Sequence, residues 1–590
     1  ESMTQRGPDS GGIFRDERVS LAMRRLAIID PNGGNQPIYN EDKSVVIVCN
    51  GEIYNHDVLR QQLKLMGHSF RSCSDIEVIV HAYESFGVRC LDSLRGMFAF
   101  ALWDHKHDRL MLARDRSGEK PLYLSKDGQG RLWFASEFRS ILKTVRNPML
   151  SPQALNLFLT FQYIPETDSP VDGITLMSAG HVLDLTPKNI HLDSKSYWDL
   201  SKAALSPSSP EVTVRESLNE ACRLMGIADV PVAAAMSGGI DSSLVTALSA
   251  KHYPDQIEAF CVGYTQKPPT DERNVARGVA KSLRVPFHDI EINTDQVVRD
   301  FPLLVRAMDI PVGDIAAQGY FAVSSEARKK GFPVLLSGMG GDELFWGYDW
   351  VRQAVRRNTQ KQSKKGLRGY LNSLFRKSLN STPQFFEVHD EMSQNDLASR
   401  AILSREAAEN VPQDLWLKVA SLDSDQPAHF AVHTLLNRTW LQSNCLALVD
   451  RLSMFNSVEV RLPLLDHVLI EQVVGMRNAG LNDWRQIHKW LLLNSFKDII
   501  PSDIIGRRKQ GFTPPVEDWM SNIERRYLAL VLDGALISTG LIDRERLNSA
   551  VSSLSLNFKY KLMVSELWVR QTLLGESEND IHKAAARKHF

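Results

Sequence analysis

The chain has 590 residues, 43% hydrophobic and 24% charged, enough apolar material for two or more cores, which excludes a disordered or fibrous protein. Its 69 Lys and Arg against 70 Asp and Glu leave a formal charge of -1, so no basic field awaits a polyanion and nucleic acid is not expected as a partner. No apolar run reaches the ~20 residues that span a bilayer, and the opening ESMTQRGPDSGG has neither the basic nor the apolar part of a signal peptide; a cytoplasmic protein without a membrane partner is expected.

From the start to about residue 200, short apolar runs such as SVVIVCNGEIYN, GMFAFALWD and DRLMLARD are punctuated by Gly, Asn, Asp and Pro, and read as strands closing into sheets. Between them, residues 57–66 place Val58, Leu59, Leu63 and Met66 on one helical face. The six cysteines (Cys49, Cys73, Cys90, Cys222, Cys261, Cys445) form no C-x-x-C pair, and all six are expected to be reduced and buried. Residues 201–213, SKAALSPSSPEVT, are Ser- and Pro-rich and read as a linker. Beyond it, the apolar strands VPVAAAM, IEAFCVGY, VPFHDIEI and FPVLLSG alternate with amphipathic helices, the pattern of a doubly wound parallel sheet. Residues 355–377 carry many Lys and Arg and suggest an exposed helical insertion with a solvated face. The remainder to about residue 575 is helix-patterned, and residues 576–590 read as a tail. The expected organisation is a domain over 1–200, a linker over 201–213, a second domain over 214–575 and the tail.

SGGIDSS, residues 237–243, lies directly between the strand ending at Met236 and a helix carrying Leu244 and Leu248. Gly238 and Gly239 let the backbone turn tightly and bring N–H groups close to phosphate oxygens, while the helix N-terminus adds partial positive charge. Ser237, Ser242 and Ser243 supply hydroxyls at the same spot. Asp241 would repel phosphate unless a magnesium ion bridges the two. Taken alone, the string reads equally well as a capped helix after a glycine turn. A second loop, FPVLLSGMGGDELFWGY, repeats strand, glycine turn, acid and helix over residues 332–348. Loops of this kind leave the carboxyl edge of a parallel sheet, so Asp241 and Asp342 are expected to hold metal on one pyrophosphate. Neither a Walker loop nor a dinucleotide fingerprint is present.

SGGIDSS resembles the loop of enzymes that cleave ATP to AMP and pyrophosphate. The first two hundred residues narrow the group: RGPDSGG (6–12), RRLAIID (24–30), CNGEIYN (49–55), SDIEV (74–78), RDRSGEKPLY (114–123) and FASE (134–137) resemble class II glutamine amidotransferase domains in order and spacing. Together with DRLSMFNSVEVRLPLLD (450–466) and RRKQGFTPP (507–515), they make the chain similar to the glutamine-hydrolysing asparagine synthetase family over both halves. The resemblance implies an N-terminal Ntn-hydrolase-type αββα sandwich, then a doubly wound sheet of the adenine nucleotide alpha hydrolase type with a helical extension.

The same resemblance implies the chemistry. Glutamine is bound by Arg25 at its carboxylate, Asp75 at its ammonium and Glu52 beside them. Asn50 and the Gly51 N–H form the oxyanion hole that a tetrahedral intermediate needs. The family's nucleophile is an N-terminal Cys upstream of the RGPD motif; the sequence opens with Glu1 and does not contain it, and is expected to begin downstream of the true N-terminus. ATP with Mg2+ is expected on Met236, Ser237, Gly238, Gly239, Asp241, Ser242, Val262, Ser337, Gly338 and Asp342, with Lys509 stabilising developing charge. The implied reaction joins a carboxylate to AMP, then lets ammonia displace it, with an internal channel between the domains. A homodimer is common in the family. The family's second loop usually carries an acid in its third place, S-G-E-G or S-G-D-G; here that place is Met339, a thioether that cannot take a proton or pair with an amine. The expected acceptor is aspartate or another carboxylic acid; the departure puts aspartate in doubt and opens the alternative of a different acid, as in secondary metabolism or polysaccharide synthesis. Other readings are an ammonia-using or beta-lactam-forming relative and a catalytically inactive regulatory homologue.

Overall fold

The computed structural model describes residues 2–165, 168–188, 190–203, 209–364, 390–422, 425–500, 504 and 514–587. The first domain opens with a hairpin of β1 (Ser10–Arg15) and β2 (Ser20–Arg25). A six-stranded antiparallel sheet follows: β3 (Ile38–Tyr39), β4 (Val45–Ile53), β5 (Gly96–Asp104), β6 (Arg109–Arg114), β10 (His181–Leu185) and β11 (Lys195–Ser196), side by side in that order. Along β4, Ile47, Cys49 and Ile53 enter one core and Val46 and Val48 another, the period of two that a strand buried on both faces requires. β5 divides likewise, Phe98, Phe100 and Leu102 against Ala99, Ala101 and Trp103.

The first of these cores is closed by the helices His56–Leu65 and Glu77–Phe86, through Leu59, Leu63, Val78 and Ile79. The second is closed by the small sheet of β7 (Tyr123–Lys126), β8 (Leu132–Ala135) and β9 (Ile174–Leu176), through Leu122 and Leu124. On the far side of that sheet Tyr123 packs with Phe138 and Phe158 of the helices Phe138–Leu142 and Pro152–Phe161. Helix, sheet, sheet, helix is the expected αββα sandwich.

In the second domain, β12 (Val232–Ala235), β13 (Ile257–Tyr264), β14 (Phe287–Ile292), β15 (Val334–Ser337) and β16 (Glu459–Arg461) form a parallel sheet in the order β14-β13-β12-β15-β16. Ala234, Ala259 and Leu336 face a core shared with the helices Pro210–Met225 and Ile240–His252, while Ala233, Phe260 and Leu335 face Ala327 of the helix Ala317–Lys329. The sheet is therefore covered on both faces, as its near-continuous apolar strands require. Chain order reverses between β12 and β15, so the loops after these two neighbours diverge and leave a crevice at the carboxyl edge. The doubly wound architecture is the expected one.

Several details depart from the expectations. Leu59 and Leu63 are buried, but Val58 and Met66 are exposed, because the helix presents a stripe narrower than the sequence face suggests. Cys73 is exposed, on the loop before Asp75; the other five thiols are buried. The Ser/Pro-rich stretch is only in part a linker, since Ser209 caps the helix Pro210–Met225 by accepting from the Val212 N–H. The basic helix Asp349–Lys364 buries Val351, Ala354 and Val355 on one face; residues 365–377 of the expected insertion lie outside the described residues. Part of the tail is a helix, Glu578–Arg587, docked through Ile581 and Ala585. Among the described residues no helix is long and apolar enough to cross a membrane.

Candidate functional site

The loops after β12 and β15 line one cavity of about 470 Å³, together with Met236, Ser237, Gly238, Gly239, Asp241, Ser242, Val262, Ser337, Gly338, Met339 and Asp342. Contact between the loops is close enough to require glycine. A Cβ on Gly338 would fall 2.4 Å from the Ser242 nitrogen and 2.6 Å from the Asp241 carbonyl carbon, and one on Gly341 would fall 2.4 Å from Asp241 Cγ. The first loop is tied back on itself: the Ser237 N–H donates to Ser242 Oγ (3.0 Å), and the Gly239 N–H donates to Ser237 Oγ (3.1 Å). Ser237 and Ser242 line the cavity, with the Ser242 hydroxyl also shaping the loop, whereas Ser243 is buried away from the lining, a correction to the expectation that all three serines supply hydroxyls there.

Lys489 joins the two acids. Its Nζ lies 2.6 Å from Asp342 Oδ1 and also pairs with Asp241, with only 5% of the side chain exposed. Burial alone would lower the ammonium's pKa; the two carboxylates outweigh it and leave the pKa raised. Lys489 stands in the left-handed region (φ 55) just before the helix Trp490–Ser495, and its own N–H donates to the Phe345 carbonyl (3.1 Å), which fixes the side chain toward the loops. A carboxylate pair held apart by one cation, beside backbone N–H groups and a helix start, suits a divalent ion with pyrophosphate. Lys509, Arg507 and Arg508 lie outside the described residues.

The wall beyond the loops includes Asp314, Glu343, Tyr348, Trp440, Asn444 and Cys445. The last three belong to a π-helical stretch, Asn437–Leu446, a widened helix of the kind that often marks a site. Tyr348 donates to Glu343 (2.8 Å) and the Asn444 amide to Asp314 (2.9 Å).

A second cavity, about 370 Å³, lies in the first domain and is lined by Arg25, Asn50, Gly51, Glu52 and Asp75. Arg25 ends β2 and donates to the Ile29 (2.6 Å) and Asp30 (3.0 Å) carbonyls, which fixes its guanidinium. Asn50, Gly51 and Glu52 end β4. The Asn50 amide donates to Ser136 Oγ (3.1 Å), and its oxygen accepts from Arg6 (3.4 Å). Gly51 has φ 145, and a Cβ there would fall 2.0 Å from the Met97 carbonyl oxygen. Asp75 accepts the Ile53 N–H (2.8 Å). Burial raises the pKa of both Glu52 and Asp75; the neighbouring Asp75 charge pushes Glu52 further up, and the Ile53 N–H partly offsets the rise at Asp75. Cys49 is buried, and burial together with Asp75 and Glu52 pushes its thiol well up, which suits a core residue and not a nucleophile.

Two family models match: asparagine synthase over residues 213–574 and a glutamine amidotransferase domain over residues 1–198. The chain belongs to the asparagine synthase family. It is 29% identical to asparagine synthetase [glutamine-hydrolyzing] 1 of Bacillus subtilis, over 88% of this chain and 84% of that protein. To a putative asparagine synthetase of Mycobacterium tuberculosis it is 30% identical, over 92% and 87%. To amidase chyE of Penicillium rubens it is 28% identical, over 92% and 88%. As a member of this family the chain is an amide-forming ligase that uses glutamine.

In this member of the asparagine synthase family the domains are bolted together by buried charge. Arg6 grips Asp450 with two nitrogens (2.7 and 2.8 Å), and Lys120 adds a third contact (3.2 Å). Burial would raise the Asp450 pKa, but Arg6 and Lys120 hold it down at about 2. Arg95 makes a similar fork to Asp466, and Arg461 reaches Glu52 at 3.4 Å while holding Glu459 at 2.8 Å. Met454 and Glu459, from the second domain, line the first domain's cavity, and β16, which carries Glu459, pairs with β15, whose loop lines the other. Sequence reasoning missed Lys489; the available signal was a lone lysine opening the apolar run KWLLL. It also missed Arg461, whose charge inside the run VEVRLPLL is the mark of a buried pair.

Proposed function

We propose that the second domain activates a carboxylic acid with ATP, releasing pyrophosphate and forming an acyl-adenylate, and that ammonia from glutamine in the first domain then displaces AMP to give an amide. The observation that carries this reading is the meeting of the two glycine and acid loops around Lys489 in one cavity. Backbone groups of Ser237–Gly239 and Ser337–Gly338 would receive the phosphates, and Asp241 and Asp342 would hold Mg2+. Bound there, the ion would neutralise the pyrophosphate's charge. Lys489 would let go of the carboxylates when the ion arrives and turn toward the phosphates, and Lys509 is assigned the charge that develops at phosphorus.

In the first domain Arg25 and Asp75 would bind the two ends of zwitterionic glutamine, and Asn50 with the Gly51 N–H would receive the oxyanion. Ammonia would pass along the β15–β16 pair: Glu459, which lines the first cavity, stands opposite Val334 at the start of β15, and the loop at the end of β15 lines the second. A fused source and consumer keep it undiluted.

The acceptor we favour is not aspartate. Met339 offers no charge, and the described wall beyond it combines Tyr348 and Trp440 with Asp314 and Glu343, surroundings for a larger acid that carries an aromatic or cationic part. Pyrophosphate exchange into ATP, measured across a panel of carboxylic acids that includes aspartate, tests both levels. No exchange with any acid sinks the adenylate reading; exchange strongest with aspartate sinks the choice of acceptor alone.

A further inference from the structure

Four side chains with metal-binding chemistry converge at a point in the first domain, and none of them lines either cavity. Glu41 follows β3, His68 follows the helix His56–Leu65, and His81 and Glu84 stand one turn apart on the helix Glu77–Phe86. The i, i+3 spacing puts the last two on one helical face. One donor atom from each lies within 4.8 Å of the others. His68 Nδ1 is 3.2 Å from Glu41 Oε1 and 3.8 Å from Glu84 Oε2; His81 Nδ1 is 3.3 Å from Glu41 Oε2 and 3.4 Å from Glu84 Oε2.

These separations are long for charge-assisted hydrogen bonds, which run about 2.7–2.9 Å. Three of the four lie near the edge of a tetrahedron around Zn2+, where about 2.0–2.1 Å to each ligand gives edges of about 3.3–3.4 Å; the His68–Glu84 separation of 3.8 Å is wider, and Glu41 meets the two imidazoles through different oxygens, so the four groups would draw in slightly around an ion. Both imidazoles turn Nδ1 inward; His68 has a hydrogen-bond partner behind its other nitrogen, and His81 has a carboxylate nearby that is beyond hydrogen-bond distance. His68 Nε2 meets Ser85 Oγ at 2.8 Å, and His81 Nε2 faces Glu77 Oε1 at 3.7 Å. An outer hydrogen bond such as the one at His68 orients a ligating histidine and fixes its tautomer. The carboxylates are oriented too: Glu84 Oε1 accepts from Asn40 (2.7 Å) and Glu41 Oε1 from the Ser69 N–H (2.9 Å). Two neutral imidazoles and two carboxylates balance a divalent charge, and exposed Glu84 beside fully buried His81 gives the ion a way in.

We propose that Glu41, His68, His81 and Glu84 form a structural site for one divalent transition-metal ion, Zn2+ by its geometry. With four protein ligands and no open position, the ion would be a clasp and not a catalyst. It would fasten the β3–β4 turn and the loop at His68 to a helix that begins two residues after Asp75. Glu77 of the same helix already accepts the Arg71 (2.7 Å) and Ser72 (2.8 Å) N–H groups, so the clasp would brace the loop that carries Asp75.

Untagged full-length protein, stripped with a chelator and re-equilibrated with Zn2+, tests this by metal analysis; Co2+ as a probe reports geometry by its visible absorption. We expect one tightly held Zn2+, an intense four-coordinate Co2+ spectrum without sulfur charge transfer, and a thermal midpoint that rises with zinc. His68→Asn, at a part-buried position, and Glu84→Gln, at an exposed one, should each abolish uptake, and the metal-free thermal midpoint of Glu84→Gln should stay at the wild-type value. Ser85→Ala should weaken binding by about 10-fold. Absence of uptake by the wild type, or a Co2+ spectrum that survives His68→Asn and Glu84→Gln, overturns the proposal.

Discussion

Lys489→Met is the sharpest probe of the nucleotide cavity. Methionine has nearly the length of lysine, so packing around the side chain is kept while the charge is lost. What remains is Asp241 beside Asp342, 13% and 21% exposed, with the shared cation gone. Removing one partner of a buried pair costs about 3–5 kcal/mol, chiefly through the charge left behind. In the wild type Lys489 has a raised pKa, so its stabilisation is complete below the unfolded value of about 10.4 and is lost only as pH rises through the higher folded value. The wild type is therefore insensitive to this group near neutrality. In the variant, protonation of a carboxylate relieves the repulsion, so the defect should shrink as pH falls toward about 4. Chemical unfolding with and without Mg2+ provides the measurement, with pyrophosphate exchange as the functional readout. Expected are a loss of about 3–5 kcal/mol at pH 7, partial recovery with Mg2+, a smaller defect when Asp342→Asn is added, and no exchange. A variant as stable as the wild type at pH 7, or one whose defect Asp342→Asn does not reduce, would show that the three groups do not form the unit described.

Asp450, held at about 2 against about 3.9 unfolded, should contribute about 2–3 kcal/mol that is fully present above pH 4 and lost as pH falls through 2, so wild type and Asp450→Asn should converge in thermal stability across that window. Gly338→Ala places a methyl 2.4 Å from the Ser242 nitrogen and must part the loops; calorimetry should find ATP affinity lowered by about 10-fold or more, about 1.4 kcal/mol, with glutamine binding unchanged. Gly51→Ala drives its methyl into the Met97 carbonyl at a φ unsuited to alanine, and should abolish glutamine binding while ammonia-dependent pyrophosphate release persists. Equal loss of both activities would place the damage in folding and not in the first cavity.

The class of each half is written in the periodicity of its apolar residues. Val46 and Val48 against Ile47 and Cys49 write a strand buried on both faces, and the apolar runs at 232–235 and 334–337 write interior strands of a parallel sheet. The glycine and acid loops were legible for a local reason: tight turns beside an anion need glycine, and the acids stand out against it. Which distant residues meet depends on the finished packing. Lys489 lies 248 residues from Asp241 and 147 from Asp342, and its pairing with both depends on a left-handed residue that no pattern announces. Arg6 and Asp450, 444 residues apart, find each other only because two finished domains dock. Ser243 and Val58 were misplaced for the converse reason: a hydroxyl or a methyl fits either side of a helix locally, and burial is settled by the neighbour that arrives from elsewhere in the chain.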